Sequence, residues 1–363
     1  MKKYWFILFV LIVFLGACNS ESKTTENSIE NGQTTETSEQ TNSEEEEEYV
    51  LKLAHGYPTE AFHHTHMEWF AEEVKKRSDG RLTIDIFPNA QLMPADQEVP
   101  AILQGQIDMS HSTSPQLTSF DPIWNVYELP FIFDYDPEDP SYYLDLRDEF
   151  NDSENGGQKI AQKMEEKGIK ILAYAYTGTF GSVFTNEKDK LITDPASAED
   201  LNIRSPGGII TPETIKGMGA NSVTLAGTEV VTGLQQNLVD GLLTSAQYAA
   251  DAKLPIKTFT VAPLFNPLTP VVISLEKFES LPSDLQDVLV ETGQDLEKYV
   301  NEVVTEGELA AFEKLENEMN VEFYYPTDQE IEEWREVTKP SLEKFKNEVE
   351  GGAELLEELE NFQ

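Results

Sequence analysis

Leu201-Asn202-Ile203-Arg204-Ser205-Pro206-Gly207-Gly208 opens the stretch that organises this chain. It runs on through Thr228-Glu229-Val230-Val231 and Leu234-Gln235-Gln236-Asn237 to Val239-Asp240-Gly241. An apolar strand ending in an arginine, a turn of proline and glycine, a short helical pattern and a second helix leading into another strand read together as an α/β unit. The strand behind Arg204 and the stiff turn after it let the guanidinium point its planar fork into a crevice. Such a fork suits a carboxylate. A salt bridge to a neighbouring Asp or Glu is the alternative for the same side chain.

Other arginines have plainer readings. Arg77 and Arg81 flank a helix end and a Ser-Asp-Gly turn, Arg147 follows a tyrosine-rich acidic segment, and Arg335 sits in an acidic helix. Each is expected to be a solvated surface charge.

Working outward, the segment has an echo. Glu98-Val99 to Leu103-Gln104 followed by Ile107-Asp108 matches Glu229-Val230 to Leu234-Gln235 followed by Val239-Asp240, with one inserted residue in the second copy. Each is a helix turning into a strand that ends in small hydroxyl residues: Ser110, Ser112, Thr113 and Ser114 in the first, Thr244 and Ser245 in the second. Two such units with facing strand ends would build the kind of crevice in which open α/β sheets bind ligands. Chance similarity is the competing explanation.

The remaining pattern extends the α/β reading. Strands are predicted over 49–54, 82–87, 107–111 and 169–176, and helices over about 62–76 and 94–104. The first helix is expected to bury Phe62, His66, Phe70 and Val74. From Leu281 to Asn320 an acidic helical pattern carries apolar positions at Leu285, Leu289, Leu296, Val300, Val303 and Val304. Helices over about 327–349 and 353–361 complete the chain, their glutamates read as solvated faces.

The N-terminus speaks to location. Lys2 and Lys3 precede an apolar run, Tyr4 to Leu15, too short to span a bilayer comfortably and followed by Leu15-Gly16-Ala17-Cys18. This has the form of a lipoprotein cleavage box, with 1–17 as signal peptide and Cys18 as the lipidated residue carrying a diacylglyceryl, palmitate-type anchor. Cys18 is the single cysteine, so neither a disulfide nor a zinc–thiolate site nor a catalytic thiol is available elsewhere. Residues 18–48 are mostly Ser, Thr, Asn, Gln and Glu with almost nothing apolar, and read as a disordered acidic tether. The body, 49–363, is then expected on the outer face of a cytoplasmic membrane.

With 67 acidic against 26 basic residues, the formal charge of −41 excludes nucleic acid as partner. It should also slow an approaching anion, so association with an acidic ligand is expected to quicken with ionic strength.

In order and spacing, Ala90-Gln91-Leu92, Leu103-Gln104-Gly105, Glu128-Leu129-Pro130-Phe131, Asp200-Leu201-Asn202-Ile203-Arg204, Gly219-Ala220-Asn221 and Leu234-Gln235 with Asp240-Gly241 resemble a known group. It is the substrate-binding proteins of tripartite ATP-independent periplasmic (TRAP) transporters, of the dicarboxylate-binding type. The resemblance implies a two-lobed periplasmic-binding-protein-like α/β fold with a long helix spanning both lobes. Lobe I would be about 49–175 plus 265–305, and lobe II about 176–264 plus 306–363. It also implies capture of a small organic acid in the cleft and membrane subunits as partners; no cofactor and no protein-bound metal site is expected from the residues.

The family's substrate-orienting arginine falls on Arg204. A second arginine, common in relatives that take dicarboxylates or sialic acid, falls near Ser182, and an asparagine usual after the Asp-Gly turn falls on Thr244. Both departures tilt the ligand toward a monocarboxylate or a polyfunctional acid held by hydroxyls and aromatics. Beside Arg204, Thr244 and Ser182, the candidates are Gly207, His55, Tyr57, Ser112, Tyr176, Phe180 and Tyr248, with ordinary core packing as the alternative for each aromatic. Thr211-Pro212-Glu213 reads as a capped helix start whose free N–H groups could assist the anion.

Three rivals stand beside this reading. A binding lipoprotein of an ATP-driven transporter shares the cleft architecture. Zinc capture is suggested by His55, His63, His64 and His66, though neighbouring histidines point apart on a helix and His-Glu-x-x-His is absent. An enzyme is the third, with neither a nucleophile elbow nor a phosphate loop to support it.

Overall fold

The computed structural model describes residues 47–362 apart from 137, 138 and 267. The segments expected to be a signal peptide and a tether, with Cys18 between them, lie outside the described residues as far as residue 46.

Strands β1 (Tyr49–Ala54), β2 (Leu82–Phe87), β3 (Met109–His111) and β4 (Ile169–Tyr176) belong to a first sheet. β5 (Gly181–Thr185), β6 (Asn202–Ser205), β7 (Asn221–Thr224), β8 (Gly241–Ser245) and β9 (Thr258–Phe265) belong to a second. β10 (Leu268–Ser274) returns to the first sheet and β11 (Glu322–Tyr324) edges the second. The sheet orders are β2-β1-β3-β10-β4 and β11-β9-β5-β8-β6-β7. Within each, one strand is flanked by two parallel neighbours reached through helices: β2-β1-β3 around β1, and β7-β6-β8 around β6. The matching segments seen in the sequence are the last helix and strand of these two units. Both units have the same topology, and the carboxyl ends of their parallel strands carry His55, His111, Arg204 and Thr244.

The two lobes are joined where strands change sheets. β4 leads into β5 through residues 177–180, and β9 into β10 through 266 and 267, with Leu268 paired to Tyr176 and Gly181 paired to Phe265. The helix Ser283–Glu313 braces this crossing: it packs on β4 of the first sheet, on helix Phe62–Arg77, and on helix Ala246–Asp251 of the second lobe. Gly293 makes the close approach possible. A Cβ there would lie 2.0 Å from the Leu172 carbonyl oxygen.

Helix Phe62–Arg77 buries His63, His66, Met67, Phe70 and Val74. His66, Phe70 and Val74 lie inward as expected, whereas Phe62 is only half-buried and His63 takes the buried place at the helix start. His63 Nε2 sits 3.1 Å from Thr177 Oγ1 at the start of the crossing.

Arg147 corrects a second expectation. Its side chain is fully buried, not solvated. Nη1 donates to the Thr179 carbonyl at 2.8 Å, Nη2 to that of Gly178 at 3.3 Å, and the guanidinium lies 3.5 Å from the centre of the Tyr176 ring. A buried cation is tolerated when polar partners and a ring face replace its water. Arg147 thereby ties helix Pro140–Asp152 to the backbone that joins the sheets.

Candidate functional site

Arg204 is the penultimate residue of β6, the middle strand of the parallel unit, in register with Val223 on one side and Leu242 on the other. It is 8 % exposed. Its Nε donates to the Leu225 carbonyl at 3.1 Å, which fixes the plane of the fork, and among the described residues its Nη groups have neither a hydrogen-bond acceptor nor an ion-pair partner. Burial pulls its pKa down to about 10, opposed by Tyr248 and Glu128, so it remains a cation at neutral pH. The salt-bridge alternative therefore fails.

After Arg204 the chain turns through Gly207 at φ 134° and Gly208 at φ 71°, both in the left-handed region that favours glycine. The turn brings this loop against lobe I. Asn125 Oδ1 accepts from the Ile209 N–H at 3.1 Å, and Glu128 accepts from the Thr211 hydroxyl. Thr211 is thus not the helix cap predicted for it. Ile210 holds that position without a side-chain bond, and the helix Thr211–Gly217 is short.

The facing surface of lobe I gathers all five histidines of the chain at the ends of β1, β3 and the start of helix Phe62–Arg77. His55 Nε2 and His64 Nδ1 are 3.1 Å apart. His63 is sandwiched, with the Tyr57 ring stacked at 3.7 Å and the Phe62 ring at 4.0 Å. His111 lies 6.4 Å from His55 and 6.1 Å from His63, ring centre to ring centre. Burial pulls the pKa values of His55 and His66 down to about 4 and holds those of His63 and His111 well below the ordinary imidazole value, so these imidazoles are neutral. Among their edge atoms His63 Nδ1 and both nitrogens of His66 have no hydrogen-bond partner, whereas His111 is within reach of the Thr269 and Pro270 backbone and Tyr57 of the Thr177 side chain.

Two carboxyls join this surface. Glu98 accepts from Ser112 Oγ, and burial pushes its pKa up to about 8. Glu128 is held up to about 7 by burial, opposed by its hydroxyl donors and by Arg204. Tyr248, on helix Ala246–Asp251 of lobe II, connects the halves: its ring centre is 6.2 Å from that of His63, and its phenol interacts with both Arg204 and Tyr57.

Arg204, Tyr248, Tyr57, His55 and Gly207 are accordingly placed along the interlobe surface, with Ser112 behind them on Glu98. Thr244, 6 % exposed, is the penultimate residue of β8 and pairs across the sheet with Ser182. The remaining candidates sit elsewhere. The Ser182 hydroxyl is held between the Thr260 carbonyl and the Ala262 N–H inside the second sheet. Tyr176 lies under Arg147 and bonds to Asp148 and Asn151. Phe180 packs on Tyr135 at 4.3 Å, behind the crossing. His63, His111, Glu98 and Glu128 are not ligand-site candidates from the sequence, although Glu98 opens the first repeat unit and Glu128 begins Glu128-Leu129-Pro130-Phe131. Zinc capture gains nothing: among the described residues no three His, Cys, Asp or Glu side chains converge as metal ligands.

Residues 53–348 match the family described as bacterial extracellular solute-binding protein, family 7. The chain is 27 % identical over 320 residues to the 2,3-diketo-L-gulonate-binding periplasmic protein YiaO of Escherichia coli, covering 86 % of this chain and 92 % of that one. It is 25 % identical over 296 residues to the C4-dicarboxylate-binding periplasmic protein DctP of Vibrio cholerae, covering 79 % and 82 %. Among solved structures, the sugar acid binding protein of Advenella mimigardefordensis in complex with galactonate superposes with a TM-score of 0.78 at 22 % identity, over 87 % of this chain and 99 % of the other. A TRAP periplasmic solute-binding protein of Shewanella oneidensis with bound succinate gives 0.77 at 23 %, over 86 % and 98 %. Two α/β lobes, a bracing helix and an unpaired arginine on the interlobe surface are thus those of a solute receptor, and the chain belongs to the family 7 extracellular solute-binding proteins of TRAP transporters.

Proposed function

We propose that this protein captures a hydroxyl-rich organic acid with one carboxylate between its lobes and hands it unchanged to the membrane subunits of a TRAP transporter. The observation that carries the reading is the fork of Arg204, buried, oriented and unpaired. A second carboxylate would need a second cation. Arg147 is the other buried cation among the described residues, and its Nη groups are engaged by the crossing. Across from Arg204 stand edge nitrogens, a phenol and buried carboxyls, a set that suits ligand hydroxyls better than a second anion.

In this reading the groups present bind and orient the ligand, and it is passed on without chemistry. The lipid anchor belongs to the same reading: Cys18 would tether the body to the outer face of the cytoplasmic membrane through residues 19–48. Calorimetry tests the ligand class. Sugar acids with one carboxylate, such as galactonate and glucuronate, should bind more tightly than succinate, and a preference for succinate would overturn that choice. Cys18→Ala should release the protein from the membrane fraction, and retention there would remove the anchor.

A further inference from the structure

We propose that Glu128 is a positioning residue that couples binding of an acid at Arg204 to uptake of one proton from solution. This rests on Arg204 as the anion anchor.

Glu128 ends the turn Pro122–Glu128, which is fastened inside lobe I: Trp124 Nε1 donates to Met164 Sδ at 3.2 Å and Tyr127 to Asn151 Oδ1 at 2.6 Å. Its carboxyl is completely buried, and its two oxygens are held by hydroxyls from opposite lobes. Ser114 Oγ of lobe I donates to Oε1 at 2.8 Å, and Thr211 Oγ1 of lobe II donates to Oε2. Three residues earlier, Asn125 Oδ1 takes the Ile209 N–H, so the loop from Arg204 to Thr211 is fastened to lobe I at two points. A Cβ on Gly208 would come 3.0 Å from Asn125 Oδ1, which shows how closely the loop sits.

Arg204 is the charged group that acts on Glu128, and it favours the ionised carboxylate. Nearby, Asp121 is taken by Lys167 at 2.7 Å, and Tyr248 faces Arg204. Helix Gly352–Leu359, packed on the same turn, carries Glu354, Glu357 and Glu358, whose charges do not act on Glu128. An arriving ligand carboxylate takes over the guanidinium and adds a like charge beside Glu128. Both changes favour the protonated acid. Before binding the buried charge is Arg204⁺ with Glu128⁻, and afterwards it is Arg204⁺ with the ligand anion and neutral Glu128, so it stays at zero. The new O–H is accepted by the Ser114 or Thr211 hydroxyl, which rotates to receive it.

Because the bound form holds the extra proton, affinity must fall as pH rises past the carboxyl's free-state value, which lies at about 7. The limit is tenfold per pH unit for one proton. The test is calorimetry of the full-length chain with galactonate, an anion throughout the range, at pH 7.5 in buffers of differing ionisation enthalpy. Wild type should take up roughly half to one proton per ligand, and its Kd should rise about three- to tenfold from pH 7.5 to 8.5. Glu128→Gln should bind without proton uptake and with a flat profile. Thr211→Val, which withdraws a hydroxyl favouring the ionised form, should shrink the uptake by leaving Glu128 protonated beforehand. Wild-type binding without proton uptake, or a Glu128→Gln variant with undiminished uptake, overturns the inference alone. If folded wild type binds neither galactonate, glucuronate nor succinate, the functional reading falls with it.

Discussion

The parallel units of the two lobes have the same strand order and opposite chemistry at their strand ends. In lobe II, β6 ends in one cation whose fork is unpaired, while in lobe I, β1 and β3 end in imidazoles that burial keeps neutral. Topology places strand ends at the cleft, and the residues there divide the work. The cation supplies a long-range attraction that fixes one ligand group, whereas neutral edges contribute short, directional bonds that read shape. The lobe II half should therefore dominate affinity and the lobe I half selectivity.

The largest effect expected from this division is at Arg204. Truncating one partner of a desolvated charge pair costs about 2–5 kcal/mol, so Arg204→Ala should weaken acid binding by roughly thirty-fold to several thousand-fold at about 1.4 kcal/mol per decade. Arg204→Lys should also lose affinity, because an ammonium cannot reproduce the fork. Equilibrium titration would break the division if either variant bound within about twofold of wild type.

In lobe I the change should be smaller. His63→Ala removes neutral hydrogen-bonding capacity and a stacked ring, and a neutral bond contributes about 0.5–1.5 kcal/mol, equivalent to roughly two- to tenfold in Kd. Its effect should also differ among acids of differing hydroxyl pattern. A loss as large as that of Arg204→Ala, uniform over such acids, would merge the two halves into one.

The imidazoles sharpen the contrast through pH. His55 and His66 have folded pKa values of about 4 against 6.5 when free. Between those values the unfolded chain binds more protons, so their contribution to stability, whole above 6.5, is lost as pH falls toward 4. Glu98, raised to about 8, works the other way, stabilising at acid pH and losing that contribution as pH rises through 8. Proton NMR of the imidazole Hε1 signals should give midpoints near 4 for His55 and His66, and midpoints near 6.5 would mean that lobe I presents a solvated surface.

Ser182→Ala should have the smallest effect. Its hydroxyl serves the second sheet, so binding should stay within about twofold while stability drops by around 1 kcal/mol, the usual scale for one buried hydrogen bond. A large affinity loss at unchanged stability would return Ser182 to the site.

What was legible in the sequence was local. Strands at Tyr49–Ala54, Leu82–Phe87 and Ile169–Tyr176, and the bracing helix, follow from runs of apolar residues whose spacing reports burial directly. Arg204 was legible for the same reason, since strand, arginine and turn are contiguous. Arg147 was not. Its partners Tyr176, Gly178 and Thr179 come from the crossing some thirty residues later, and an arginine among aspartates and glutamates looks the same whether its helix face meets water or a hinge. Tyr176 and Phe180 were misplaced because strand ends that reach a cleft and strand ends that cross between sheets carry similar aromatic residues. Glu128 shows the limit most plainly: its motif was visible, but its meaning lies in hydroxyls from both lobes.

The central claim is that the Arg204 guanidinium meets the ligand's carboxylate, and removing the charge from each side in turn tests it most directly. Binding of the tightest acid and of its primary amide should be compared by calorimetry in wild type and in Arg204→Ala. Wild type should prefer the acid by at least about thirty-fold, within the range for a desolvated charge pair, and the variant should discriminate by less than about threefold. A variant that still prefers the acid as strongly as wild type does would place the carboxylate somewhere other than Arg204.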